Sequence, residues 1–534
     1  MDLLRNNATA SSTYTEFNTA AAVRDLRLKY PETDSFVFKD LSFSVRRGER
    51  LLLLGPSGSG KSTLLQVLAG IIPGLVEVPM RSSEQVIPPS WGMLFQDPDT
   101  QFCMPFVDEE LAFVLENRGI PREEMRPRMV DALEQVGLHL PEIHLPIDSL
   151  SQGMKQRLAL ASILLMDPEV LLLDEPSALL DPEGRRQIWE AVSRVAEGRT
   201  LIIVEHRIEE VLDLGLVDRV ALFGPQGQLL GQGAPEELFV RCQTELEEYG
   251  IWHPGVWDRF RASEGQAQEA EKGIMPWANS TRLTAGEPLL RPVIELSEFQ
   301  GFRGDRTVIQ IERAEVYPGD FIAVTGPNGA GKSSLLLALM GLLPSEGSYL
   351  LCGERFDGKK TRTRQILALS KKIGFVFQNP EFQFVENRVD REIGFSLIEE
   401  GFSSEEIQRR VDHALDQFGL VGLELRHPYQ LSLGQKRRLS VAGAAVMERP
   451  VLLLDEPTFG QDAVNTFAIL NLCEEMRRRG TAVVMVTHEE QIAEAVATRR
   501  WEVREGTLTD CGYTNRGSSL PHKVCETGAV EVLL

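Results

Sequence analysis

The sequence predicts two α/β domains in tandem, each a mainly parallel β-sheet covered by helices. Three observations carry that prediction. The pattern G-x-x-x-x-G-K-[ST] occurs twice, as Gly55-Pro56-Ser57-Gly58-Ser59-Gly60-Lys61-Ser62 and as Gly326-Pro327-Asn328-Gly329-Ala330-Gly331-Lys332-Ser333. Each copy lies between an apolar β-like run (Leu51 to Leu54; Phe321 to Val324) and a helix-like one (Thr63 to Ala69; Ser334 to Met340). The two lysines are 271 residues apart and later landmarks stay 281 or 282 apart, so the halves keep register after one length difference. Inside each half, runs such as Val170 to Leu173 and Thr200 to Val204 alternate with helical patterns, such as the one starting near Pro182. That alternation builds a parallel sheet with helices on its faces.

The 534 residues suit at least two domains. The pattern predicts a flexible N-terminus over 1–19, a first domain over 20–240, a linker over 241–290, a second domain over 291–510 and a loosely held tail over 511–534. The stretch from Arg261 to Pro292, rich in Gly, Ala, Glu, Ser and Pro, has no clear period and reads as linker.

Composition excludes several classes of function. Charged residues are 25% and the net charge is −22, which weighs against nucleic acid as a partner, because phosphate backbones need clustered cations. The basic runs Lys359 to Arg364 and Arg477 to Arg479 read as solvated faces. The six cysteines form no C-x-x-C, which excludes ordinary zinc and iron–sulfur spacing and fits a reducing compartment. The first 19 residues lack an apolar signal core. No apolar stretch approaches the ~18 residues of a membrane span; the run from Leu158 to Met166 stops at Asp167. If the chain serves a membrane, another polypeptide must cross it.

The glycine-rich loops carry specific chemistry. Gly55, Gly58 and Gly60, and Gly326, Gly329 and Gly331, let backbone N–H groups curl around phosphate oxygens at a helix N-terminus. Lys61 and Lys332 reach the β- and γ-phosphates, and the hydroxyls of Ser62 and Ser333 bind Mg²⁺. Ser57, Thr63, Asn328 and Ser334 complete the loops. Two buried-strand runs end in paired acids, Asp174-Glu175 and Asp455-Glu456. At such a strand end the aspartate can hold the Mg²⁺ shell, and the glutamate can polarise a water against the γ-phosphate.

Leu150-Ser151-Gln152-Gly153-Met154 and Leu431-Ser432-Leu433-Gly434-Gln435 each precede a basic helical segment. They resemble the L-S-G-G-Q signature of ABC ATPases and stand just before the acidic strand, as in that family. The resemblance implies two ABC ATPase domains, each with an antiparallel β subdomain and a helical signature subdomain. It also implies ATP and Mg²⁺ as ligands. Gln96 and Gln378 match the family's Q-loop glutamine, which approaches Mg²⁺. His206 and His488 match its switch histidine, and Asp181 and Asp462 its D-loop. Tyr30 lies where the family stacks an aromatic on adenine; in the second half Phe302 is the counterpart, with Phe299 as the competing choice. The family further implies two ATP molecules held head to tail between the domains. One site combines Lys61, Asp174 and Glu175 with Ser432 and Gly434, and the other combines Lys332, Asp455 and Glu456 with Ser151 and Gly153. Gln435 belongs to the same signature; Met154 replaces it in the first copy and weakens the site that uses it.

The stretches Phe95-Gln96-Asp97-Pro98-Asp99-Thr100-Gln101 and Phe377-Gln378-Asn379-Pro380-Glu381-Phe382-Gln383 resemble the ATPases of energy-coupling factor (ECF) importers of vitamins and of cobalt or nickel. That resemblance implies a protein peripheral to the cytoplasmic face of the cell membrane. Its partners would be a transmembrane coupling subunit and a membrane substrate-binding subunit. The segments after the two glutamines mix apolar residues (Phe102, Met104, Phe106; Phe382, Phe384, Val385) with acids (Asp108, Glu109, Glu110; Glu386, Asp390), and are expected to line grooves for that coupling subunit. The alternatives are a soluble tandem ABC protein acting on ribosomes or nucleic acid, and the ATPase of a sugar or peptide transporter.

Overall fold

A computed structural model describes residues 18–31, 35–56, 58–178, 180–262, 291–356 and 363–514. Ser57 and most of the basic run at 359–364 lie outside the described residues, as do 1–17 and 515–534. The chain divides into two compact units, Met1–Pro254 and Gly255–Leu534.

In the first unit six strands order as Leu229–Gly233, Arg219–Phe223, Arg50–Leu54, Thr200–Val204, Val170–Asp174 and Trp91–Leu94. All adjacent pairs are parallel except the outermost, Leu229–Gly233 on Arg219–Phe223. The strands Val170–Asp174 and Thr200–Val204 are buried along their whole length, the mark of a sheet covered on both faces. Parallel strands deliver their C-terminal ends to one edge, so Leu54, Asp174 and Val204 open there together, with Asp174 paired to Val204. A separate antiparallel sheet is built on Thr19–Leu28 and Phe38–Arg46. A helical part comprises Val107–Asn117, Arg122–Gln135 and Gln152–Leu164. The last of these is almost wholly buried, so the apolar run from Leu158 is core rather than span.

The second unit repeats the plan. The helices Val389–Glu399, Ser404–Gln417 and Leu433–Ala445 correspond to those three. Its parallel strands Phe321–Thr325, Val451–Asp455, Ala482–Val486 and Ile373–Val376 again share an edge. Here the antiparallel strands join the parallel ones in a single ten-stranded sheet, through one bridge, Gln310 to Thr507.

Two expected boundaries move. Residues 241–254 are not linker: the helix Gln243–Glu248 follows the helix Pro235–Arg241, and Cys242, Leu246 and Ile251 join the core of the first domain. The polar, charged surface of this segment hides three apolar anchors. In the second unit, a helix over 256–262 presents Trp257 and Phe260 to Phe467, with Phe260 stacked at 4.5 Å. The last strand, Thr507–Tyr513, runs three residues past the expected end at 510, because Tyr513 still pairs with Arg499. Arg477 and Arg478 bond the buried Glu474 at 2.7 and 3.2 Å and so are drawn inward, while Arg479 pairs with Glu448 at 2.7 Å on the exposed surface.

Leu246→Ala should lower the stability of the first domain by about 2–4 kcal/mol, the cost of a buried leucine cavity. Urea unfolding of the full chain checks it; an unchanged first-domain transition would return this segment to the linker.

Candidate functional site

Both glycine-rich loops curl at the start of a helix, Lys61–Leu68 or Lys332–Leu339. Gly60 and Gly331 hold left-handed φ values of 89° and 108°. A Cβ at Gly60 would lie 2.6 Å from Val37 Cγ1, and one at Gly331 2.4 Å from the Val308 carbonyl oxygen. Only glycine allows that approach. The lysines fold back into their loops: Lys61 Nζ donates to the carbonyls of Gly55 (2.8 Å) and Pro56 (3.0 Å), Lys332 Nζ to those of Gly326 and Pro327 (both 2.8 Å). Burial pushes the Lys61 ammonium down to about 8, against the pull of Glu175 and Asp174. A buried, under-compensated cation facing free helix N–H groups suits a polyanion.

The acid pairs stand across from the loops. Ser62 Oγ donates to Asp174 Oδ1 at 2.9 Å, and Ser333 Oγ to Asp455 Oδ1 at 3.1 Å. Burial raises both aspartates to about 6, against those hydrogen bonds. The neighbouring glutamates behave oppositely. His206 Nε2 lies 3.0 Å from Glu175 Oε1, and His488 Nε2 2.7 Å from Glu456 Oε1. Burial opposes ionisation of each glutamate, but the histidine bond and nearby cations prevail and hold the carboxyl below its usual range. Each glutamate also sits at a left-handed φ, 49° for Glu175 and 50° for Glu456. A non-glycine backbone held there is strained, and the strain recurs at both matching positions. Gln96 Nε2 donates to Glu175 Oε2 at 2.8 Å, and Gln378 Nε2 reaches Glu456 Oε2 at 3.3 Å. Serine, aspartate and glutamine supply hard oxygen donors, a set whose chemistry fits Mg²⁺.

The structure therefore joins most of the expected residues within each domain. Asn328, Gly329, Gly331, Lys332, Ser333, Ser334, Gln378 and Glu456 line one cavity, with Asp455 behind Ser333. Ser432, Gly434 and Gln435 do not line it. Ser151 and Ser432 instead cap the helices Gln152–Leu164 and Leu433–Ala445, followed in the first turn by Gly153 and Gly434. Gln435 closes a capping box by accepting the Ser432 N–H at 3.0 Å. Met154 cannot do this, so its loss is a loss of helix capping. The signature helices brace the glutamine loops: Gln156 Nε2 donates to the Gln96 carbonyl at 3.0 Å, and Arg437 donates to that of Gln378.

Three expectations need correction. Phe299 is core, 1% exposed and edge-on to Tyr349, and Phe302 does not line the cavity, so neither ring reaches a nucleotide there. Tyr30 sets its hydroxyl 3.1 Å from Thr63 Oγ1. Glu110 is not a groove acid: it is 4% exposed and accepts the backbone N–H groups of Cys103 and Met104 at 2.8 and 2.9 Å, as Glu392 does for Val385 and Glu386. Asp390 is engaged by Arg388.

Glu205 was not anticipated. Fully enclosed, it accepts Ser177 Oγ (2.8 Å) and the N–H groups of His206 (2.9 Å) and Arg207 (3.2 Å), tying the histidine's loop to the loop after Glu175. Burial and the charge of Glu175 push its carboxyl up. The signal was present in the repeat: an acid at 205 faces Thr487 in the second copy.

Two phosphate-loop domains with a strained acid, a histidine and a metal-type donor set at one sheet edge define a nucleoside-triphosphate hydrolase fold. The chain belongs to the ABC transporter family, whose model matches residues 38–178 and 311–459. It is an ATPase that uses ATP and Mg²⁺. A Bacillus subtilis (strain 168) relative, named putative HMP/thiamine import ATP-binding protein, is 35% identical over 96% of this chain and 94% of its own length. A putative ABC transporter ATP-binding protein of Methanosarcina acetivorans is 33% identical over 94% of this chain and 87% of its own. The solved structure of an RNase-L inhibitor, 19% identical, shares the tandem fold over 92% of this chain and 90% of its own length, with a TM-score of 0.58.

The raised aspartates predict a pH effect. Folded Asp174 and Asp455 bind protons more tightly than in the unfolded chain, so their contribution to stability is complete below about pH 4 and lost as pH rises through about 6. Nucleotide-free protein should lose on the order of 2–3 kcal/mol per aspartate across that window. Asp174→Asn and Asp455→Asn should flatten the pH dependence of urea unfolding.

Proposed function

We propose that this chain is the energy-supplying ATPase of an ECF-type importer, and that it hydrolyses ATP in two composite sites. The observation that carries the importer reading is the end-to-end likeness to the Bacillus subtilis relative named for HMP/thiamine import. It supports the vitamin branch of that class as cargo. Among the described residues no helix is long and apolar enough to cross a membrane, so the pathway itself belongs to other subunits. The RNase-L inhibitor likeness concerns the fold alone, and a net charge of −22 does not favour RNA.

The division of labour follows from the site. Lys61 and Lys332 leave their loop carbonyls for the β- and γ-phosphates. Ser62, Asp174 and Gln96, or Ser333, Asp455 and Gln378, hold Mg²⁺, which neutralises charge on the phosphates when bound. Glu175 and Glu456, kept ionised beside His206 and His488, accept hydrogen bonds from the attacking water and orient it. Tyr30 stacks on the base in the first domain.

The coupling surface is uneven between the domains. Around the second Q-loop, Phe382 (76% exposed), Val385 (66%), Leu425 (72%) and Tyr429 (51%) form an apolar patch. The repeat places Thr100, Cys103, His144 and Asp148 at the matching positions of the first domain. A patch of that kind on a water-facing surface calls for a partner, and aromatic anchors supply most of the energy of such contacts. The second domain thus makes the apolar contact with the coupling subunit, and the first a polar one.

Phe382→Glu combined with Val385→Glu should reduce membrane association of the chain, co-expressed with its membrane subunits, by roughly tenfold or more. Basal ATPase of the isolated chain should stay within about twofold, because no catalytic contact changes. Loss of ATPase with membrane association intact would contradict this assignment.

A further inference from the structure

The cavity over the second phosphate loop has a volume of about 860 Å³, ample for a whole nucleotide. Lys332, Ser333 and Glu456 line it, and the hairpin joining Ile294–Arg303 to Arg306–Val316 adds Arg303 and Arg306 to the lining. No aromatic side chain lines the cavity. The two arginines are cross-strand partners in register, both exposed. Neither makes a hydrogen bond or ion pair with a described residue. Like charges placed directly opposite on paired strands cost stability. Asp305, between them in sequence, does not bridge them. The fold gains nothing visible from this pair, yet it places two planar cations in the lining of a nucleotide-sized cavity whose described lining holds no aromatic ring.

We propose that the second domain holds the base of ATP with the guanidinium groups of Arg303 and Arg306 in place of an aromatic ring. The inference rests on the reading of the Lys332 cavity as an ATP site. A guanidinium plane stacks on the π-face of a base as an aromatic ring does, and the electron-rich face offsets the repulsion between the two cations. The two ATP sites then differ in how they grip the base: tyrosine in the first domain, paired arginines in the second.

The test uses the full chain carrying Lys61→Ala, which leaves the second loop as the functional lysine site. Binding of MgATP and of magnesium tripolyphosphate, which has phosphates but no base, is measured at about 0.3 M salt to screen long-range charge. Adding Arg303→Ala and Arg306→Ala should weaken MgATP about tenfold and leave tripolyphosphate within about twofold. Arg303→Tyr with Arg306→Ala should recover most of the MgATP affinity, which a purely electrostatic role would not allow. Equal losses for both ligands would show that the arginines merely attract phosphate, and unchanged MgATP binding would show that they do not touch the base; either overturns the inference while the ATP site stands. If the Lys61→Ala protein binds neither ligand, the assignment of the cavity as an ATP site fails, and the inference falls with it.

Discussion

Each domain depends on keeping several charges buried at one edge of a parallel sheet without a ligand present. Lys61, Asp174 and Glu175 are each less than about a fifth exposed, and so are their counterparts Lys332, Asp455 and Glu456. Charges taken out of water must be paired or hydrogen-bonded, or else change protonation state. The protein uses all three solutions. Loop carbonyls hold the lysine, serine hydroxyls hold the aspartate and burial raises it towards neutrality, while histidine keeps the glutamate ionised. The same compensation that makes the edge tolerable leaves it short of negative charge near the loop and of positive charge near the aspartate. ATP with Mg²⁺ supplies both.

Most of this was legible because the chemistry is tied to short covalent spacings. The glycine-rich loops, the acid pairs, the glutamines and the histidines each sit at the end of a strand or one or two residues past it, and the structure brings those strand ends together as parallel pairing requires. What was illegible depended on where side chains turn. Glu110 and Asp108 look alike in sequence, yet Glu110 turns inward to satisfy two backbone N–H groups. Leu246 and Ile251 are too sparse within 241–254 to give a helical period, although both lock that segment into the first core. Left-handed backbone at Glu175 and Glu456 has no sequence signature at all. The misplaced aromatic has the same origin: Phe299 and Phe302 are close in sequence to where a ring is expected, but strand alternation sends one into the core.

The duplication has left two unlike halves on one scaffold. The first has Glu205 tying its histidine loop, a signature helix capped by Ser151 without the reciprocal glutamine and a polar surface around its Q-loop. The second has Thr487, a full capping box and an exposed apolar patch. None of these differences replaces the lysine, aspartate, glutamate and histidine that both halves keep. Divergence has therefore fallen on how each site is braced, and not on its reacting groups.

Steady-state ATP turnover of Glu175→Gln, Glu456→Gln and the double variant decides whether both halves catalyse. Removing the carboxylate leaves the fold and the Gln96 or Gln378 contact in place while abolishing the group that orients water. Each single change should lower turnover at its own site by roughly 10²-fold or more, on the scale of general-base loss. The total should fall less for Glu456→Gln than for Glu175→Gln, because the first-copy signature lacks its capping glutamine, and the double variant should retain only background activity. Wild-type turnover in Glu456→Gln would show instead that the second acid pair is not catalytic.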